Sequence, residues 1–130
     1  MKTVTVTLPL PPSTNVMWRS VIRGGQIRIL TSEVGHIFRD ACAPILKDYR
    51  TPFGGKVIIT CEFYFKNNLS DLDNRLKSLL DVLEVNRLGF GLYDNDRQIV
   101  AIHAYKNFDK KNPRVVVGVT ELSTTKEKKP

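Results

Sequence analysis

The chain is poor in the residues that build covalent frameworks and soft-metal sites. Its 130 residues hold two cysteines, Cys42 and Cys61, too few and too far apart for a disulfide framework or a zinc site. Both sit in apolar surroundings, which predicts buried thiols. No apolar run approaches the roughly 20 residues needed to span a bilayer. The opening MKTVTVTLP alternates like a strand and lacks the apolar stretch of a signal peptide, so the expected location is the cytoplasm. Internal repeats and interdomain linkers are also missing, which leaves one compact domain as the expectation for a chain of this length.

Apolar residues make up 42% and charged residues 25%, a balance that supports a real core and argues against disorder. Twenty Lys and Arg against thirteen Asp and Glu give a net charge of +7, so an acidic polymer, most commonly nucleic acid, is the natural partner.

Period-two alternation predicts a strand over 3–8, after which PLPPSTN (9–15) breaks regular structure. Gly24-Gly25 reads as a hairpin turn between MWRSVIR and QIRIL. Thr31 and Ser32 are candidate caps for an amphipathic helix over 32–49, with Val34, Ile37, Phe38, Ala41, Ile45 and Leu46 at helical spacing and Pro44 predicting a kink or break. The β-branched and aromatic KVIITCEFYF (56–65) predicts a central strand. Leu76, Leu79, Leu80 and Leu83 mark a second helix over about 73–85. RQIVAIHAYK (97–106) and RVVVGVTEL (114–122) read as strands, and the polar link NFDKKNP between them suggests a hairpin. The fold class expected is α+β: a mixed β-sheet with two main helices packed on it, over residues 1–122. Residues 123–130 form a basic tail expected to be disordered, whose lysines 126, 128 and 129 add non-specific attraction for an acidic partner.

The segment SDLDNRLKSLLD (70–81) carries the chemistry. Side chains at i and i+2 of an extended segment point the same way, so Asp71 and Asp73 converge if they lie just before the helix. Asp73 serves as its N-cap or first-turn residue, Lys77 lies one turn further on the same face, and Asp81 follows. Asp94 and Asp96 lie in the glycine-containing loop before the next strand. If that loop folds back on the helix start, three or four carboxylates meet, their repulsion raises each other's pKa, and a divalent cation relieves it. Oxygen-only ligands favour Mg²⁺ or Mn²⁺ over zinc. Such a cation beside a lysine, in a basic protein, suits phosphodiester hydrolysis. Taken alone, DLDN reads first as a helix cap with an i,i+4 ion pair, and Asp94 and Asp96 read also as turn formers. An EF-hand is excluded, since Leu76 stands where glycine is needed and Val82 where glutamate is needed.

LPLPPSTNVMWR, DLDNRLKSLLDVL and DNDRQI occur in that order, and together they resemble the RusA family of Holliday junction resolvases, common in phages and prophages, over about residues 5–120. The resemblance implies a homodimeric, Mg²⁺-dependent crossover junction endodeoxyribonuclease of DNA recombination and repair, with Mn²⁺ substituting, that cuts four-way junctions symmetrically. It implies Asp71, Asp73 and Asp96 as metal-binding catalytic carboxylates and Lys77 as the catalytic lysine. Asn74 and Asp81 then support the loop backbone and the helix face. Asp96 is preferred to Asp94 because the Arg-Gln-Ile after it fits the family pattern. The family's run of arginines before the first Asp is here reduced to Lys66. Arg19, Arg23 and Arg28 around the hairpin turn, with Lys66 and Arg75, are the candidate DNA contacts, a solvated hairpin being the alternative for the first three. Trp18 and Tyr93 read as core or rim packing with base stacking as the alternative, His103 as structural, and Lys106, Lys110 and Lys111 as a solvated hairpin end with DNA contact as the alternative. A non-catalytic DNA-binding module of the same fold, and a nuclease acting on other branched DNA, are the remaining alternatives.

Overall fold

The computed structural model describes residues 2–69, 71–86 and 88–122, so the basic tail lies outside the described residues. Ten elements follow in order: β1 (Lys2–Leu8), α1 (Thr14–Met17), β2 (Trp18–Arg23), β3 (Gln26–Thr31), α2 (Glu33–Leu46), β4 (Val57–Phe65), α3 (Asp73–Leu83), a 3-10 turn (Asp96–Gln98), β5 (Ile99–Phe108) and β6 (Arg114–Glu121). Four strands form a mixed sheet in the order β1-β6-β4-β5, antiparallel except for the parallel β4–β5 pair, while β2 and β3 form a separate hairpin. The α+β expectation holds.

Alternation decides which sheet face is covered. Val57, Ile59, Cys61, Phe63 and Phe65 of β4 are buried beside Val115, Val117 and Val119 of β6 and Val6 and Leu8 of β1. Phe38, Cys42 and Leu46 of α2 and Leu79 and Leu83 of α3 complete this core. Burial pushes the Cys42 thiol up to about 12 and the Cys61 thiol up to about 11, so both are inert, as their neighbours predicted. Among the described residues no helix is long and apolar enough to cross a membrane.

Two expectations are corrected. β5 and β6 do not form a hairpin, because β4 lies between them and pairs with both. The link at 109–113 therefore bridges two strand spacings, about 10 Å, an easy reach for five residues. Asp109 secures the link by accepting from the backbone N–H groups of Lys111 and Asn112 at 3.2 Å and from Arg114 at 2.8 Å. Of the kink or break expected at Pro44, the break does not occur: α2 runs through it and ends at Leu46. The proline's ring and missing N–H act on the preceding turn, at the Asp40 carbonyl, and cost the helix one backbone bond there without ending it.

The proline-rich break also holds a short helix that the sequence reading did not foresee. Val16 and Met17 donate their N–H groups to the Ser13 carbonyl at 3.1 and 3.0 Å, closing α1. The Ser32 hydroxyl bonds the Val16 carbonyl and accepts from the Gly35 N–H at 3.1 Å, so the N-cap of α2 also ties down α1. At the far end of the hairpin, Gly24 (φ 58°) and Gly25 (φ 77°) both occupy the left-handed region that a tight two-residue turn demands.

Candidate active site

The β4–α3–β5 unit is a parallel crossover, and it fixes where the candidate residues stand. β4 delivers the chain to the start of α3, which runs back along the sheet so that β5 can begin beside the start of β4. Asp71 and Asp73 are therefore at one end of α3 and Asp96 at the other. Eleven residues of helix separate those ends by about 16 Å.

Asp73 stands in the first turn of α3, with Leu72 rather than Asp73 as its N-cap, and both Asp71 and Asp73 are exposed. Lys77, one turn on, pairs with Asp81 at 3.3 Å, the lysine side chain 61% exposed and the aspartate 19%. Surface pairs of this kind contribute only a few tenths of a kcal/mol, so Lys77 remains available to another anion. Asn74 takes part through its backbone carbonyl, which accepts from the Thr14 hydroxyl at 3.1 Å.

The loop before β5 packs on the far end of α3 through backbone bonds. The Leu92 N–H donates to the Leu83 carbonyl at 2.8 Å, and the Val85 N–H to the Tyr93 carbonyl at 2.9 Å. Tyr93 is fully buried and its hydroxyl donates to the Leu80 carbonyl at 2.7 Å. Burial first, then the carboxylates of Glu84, Asp81 and Asp96, hold the Tyr93 pKa far above its ordinary value, so this phenol is a structural bolt. Gln98 sets the turn that carries Asp96. Its amide donates to the carbonyls of Phe53 (2.8 Å) and Gly55 (2.7 Å), and its oxygen accepts from the N–H groups of Asp94 and Asn95, both at 2.9 Å. Asn95 accepts from the Arg97 N–H at 2.8 Å, which completes a capping box and leaves the Asp96 side chain exposed.

The acidic neighbourhood that does form lies at this far end. Burial raises the Glu84 carboxyl above its ordinary value, and the charges of Asp96 and Asp81 add to the rise while Lys77 opposes it. Sequence reasoning passed over Glu84, although it follows Asp73 by eleven residues, three helical turns, and so shares its face. It passed over the four hydrogen bonds of Gln98 as well. The expected meeting of Asp71, Asp73 and Asp96 does not occur within one chain: among the described residues no three His, Cys, Asp or Glu side chains are grouped to hold a metal ion. The loop folds onto the end of α3, not onto its start. The donor set has the hard-oxygen chemistry that Mg²⁺ requires, but a single chain does not assemble it.

The candidate DNA contacts divide into two kinds. Cross-strand partners share a face, so the register puts Arg19, Arg23 and Arg28 together on one side of the β2–β3 hairpin, with Val21, Gln26 and Leu30. Ile22, Ile27 and Ile29 line the opposite side, also exposed. Arg75 is instead half-buried, donating to the Pro11 carbonyl at 2.7 Å and lying over the Phe65 ring, so it braces the proline-rich segment against α3. Lys66 is exposed at the end of β4.

A family profile described as "Endodeoxyribonuclease RusA" matches residues 9–120. The chain is 33% identical over 126 residues to the crossover junction endodeoxyribonuclease RusA of Escherichia coli (strain K12), an alignment covering 94% of this chain and 98% of that protein. Over the same spans it is 32% identical to the proteins of that name from Shigella sonnei (strain Ss046) and Enterobacteria phage 82.

Proposed function

The chain belongs to the RusA family of endodeoxyribonucleases, and from that membership we propose that it is a Mg²⁺-dependent endonuclease that resolves four-way DNA junctions by paired cuts. One observation carries the reading. Asp71, Asp73, Lys77 and Asp96 all have exposed side chains around α3 rather than being consumed by the core. Lys77 is the group set to neutralise a phosphate oxygen of the strand being cut. The arginine face of the hairpin and Lys66 supply phosphate contacts, which makes binding steeply salt-dependent.

A junction needs two cuts related by two-fold symmetry, and a homodimer supplies two sites so related. The separation along α3 gives the dimer a second task. Two α3 helices approaching antiparallel about a two-fold axis bring the start of one beside the end of the other. Asp71 and Asp73 of one subunit then face the partner's Asp96, and the hard-oxygen set is complete.

A non-catalytic module of the same fold is the competing reading, and the ungrouped carboxylates of the single chain are the observation in its favour. A synthetic four-way junction, incubated with protein and Mg²⁺ or with EDTA, separates the two. The nuclease reading expects symmetric nicks that EDTA abolishes. Tight binding with no nick under either condition favours the module, and equal cutting of forks or flaps would broaden the substrate to branched DNA generally.

A further inference from the structure

We infer that the cavity between the hairpin, α2 and the end of α3 accepts a single unstacked nucleobase from the branch point of the DNA. The inference rests on the junction-binding reading above and assigns to the same site the group it recognises. The cavity is about 430 Å³, within the usual range for small-ligand pockets, and its lining includes Trp18, Arg39, Asp81, Glu84, Asn86 and Phe90.

Three features fit a base. The Arg39 guanidinium lies over the Trp18 ring, 5.3 Å from its centroid, which makes a layered aromatic and cationic platform of the kind on which bases stack. The Trp18 indole N–H has no hydrogen-bond partner among the described residues and is closed off from solvent, so it meets an acceptor atom of the base only as the Trp18 and Arg39 side chains shift on binding. Asp81 and Glu84 supply acceptors for an exocyclic amino group, and Arg39 a donor for the ring nitrogen or carbonyl beside it. Adenine, cytosine and guanine carry an amino group, whereas thymine does not. The carboxylate wall also repels phosphate, so the cavity takes the base and leaves the backbone outside.

Its position links recognition to cutting. Asp81 pairs with Lys77, and Glu84 feels the charge of Asp96, so the same two carboxylates form one wall of the cavity and one border of the candidate active site. Extruding a base from intact duplex costs unpairing and unstacking, and that cost is least where pairing is already broken. The base pairs at an opened branch point have lost stacking on one side, so a base leaves the stack there more cheaply than from a linear duplex, which makes the cavity a device for junction selectivity.

Trp18 is the only tryptophan in the chain, so its emission reports on this cavity alone. The full-length protein, held in EDTA to prevent cutting, is titrated with a four-way junction, with the same junction abasic at its branch nucleotides, and with linear duplex, while anisotropy of labelled DNA measures binding separately. The junction should quench Trp18, and the abasic junction should bind about tenfold more weakly without quenching. Duplex should bind without quenching. Arg39→Ala, which leaves the fluorophore in place, should weaken junction binding about tenfold while its melting curve stays cooperative. Junction binding that leaves Trp18 emission unchanged, equal quenching by the abasic junction, or an Arg39→Ala variant with wild-type affinity each overturns the proposal. A protein that quenches on the junction but never cuts it with Mg²⁺ refutes the nuclease reading and leaves the pocket standing. One that cuts without quenching refutes the pocket alone, and failure to bind the junction refutes both.

Discussion

Asp73 occupies the first turn of α3, where a carboxylate also complements the positive end of the helix dipole. Asparagine keeps its shape and loses only the charge, at a stability cost of a few tenths of a kcal/mol. Asp73→Asn should therefore fold and bind the junction normally yet cut at least about a hundredfold more slowly, as single-turnover cleavage would reveal. Gln98 acts through position rather than charge. With alanine there, two carbonyls and two N–H groups lose their partner at once, so Gln98→Ala should lower stability by about 1–3 kcal/mol in a urea titration. Cutting should fall with it, because the turn that presents Asp96 is no longer held. Glu84 adds a pH dependence whose sign is set by the rise in its pKa. A carboxyl raised in the folded state contributes stability that is present below its unfolded value and is lost as pH rises through its folded value. Glu84→Gln removes that loss. The variant should match wild type in melting temperature near pH 4 without metal and exceed it near pH 7; a gap that shrinks with rising pH would contradict the assignment.

At the scale of elements, what could be read from sequence was local. The alternation of β1, the β-branched run of β4, the glycine pair of the hairpin and the leucine stripe of α3 each declare themselves within a dozen residues, and each formed close to its expected bounds. The partnership of β5 and β6 was not legible. A polar link between two strands looks the same whether they pair or straddle a third, and only β4, fifty residues before β6, decides it. α1 was hidden for a similar reason: it depends on the Ser32 cap and on Met17 burying its side chain under α2. The junction of α1 and α2 is correspondingly intolerant of bulk. A Cβ at Gly35 would sit 2.7 Å from the Met17 carbonyl oxygen and 2.7 Å from the Thr31 methyl. Gly35→Ala should thus destabilise by about 1–3 kcal/mol despite alanine's better helix propensity, and a more stable variant would show that this contact yields.

Across the whole molecule, the candidate residues were legible as chemistry but not as geometry. Asp71, Asp73, Lys77 and Asp96 could be picked out by residue type, spacing and family resemblance, whereas their separation follows from the parallel β4–β5 pairing, which no motif encodes. The proposed dimer completes a site whose residues lie at the two ends of one helix, and that arrangement can be tested by mixing subunits. Asp73→Asn and Asp96→Asn should each be inactive alone. A heterodimer of the two carries one site with both lesions and one with neither. After random exchange half the dimers are mixed, so the mixture should nick a four-way junction in Mg²⁺ at about a quarter of the wild-type rate, with single nicks replacing paired cuts. If the mixture stays as inactive as its components while wild-type protein cuts, the carboxylates act within one chain and the account of the site is wrong.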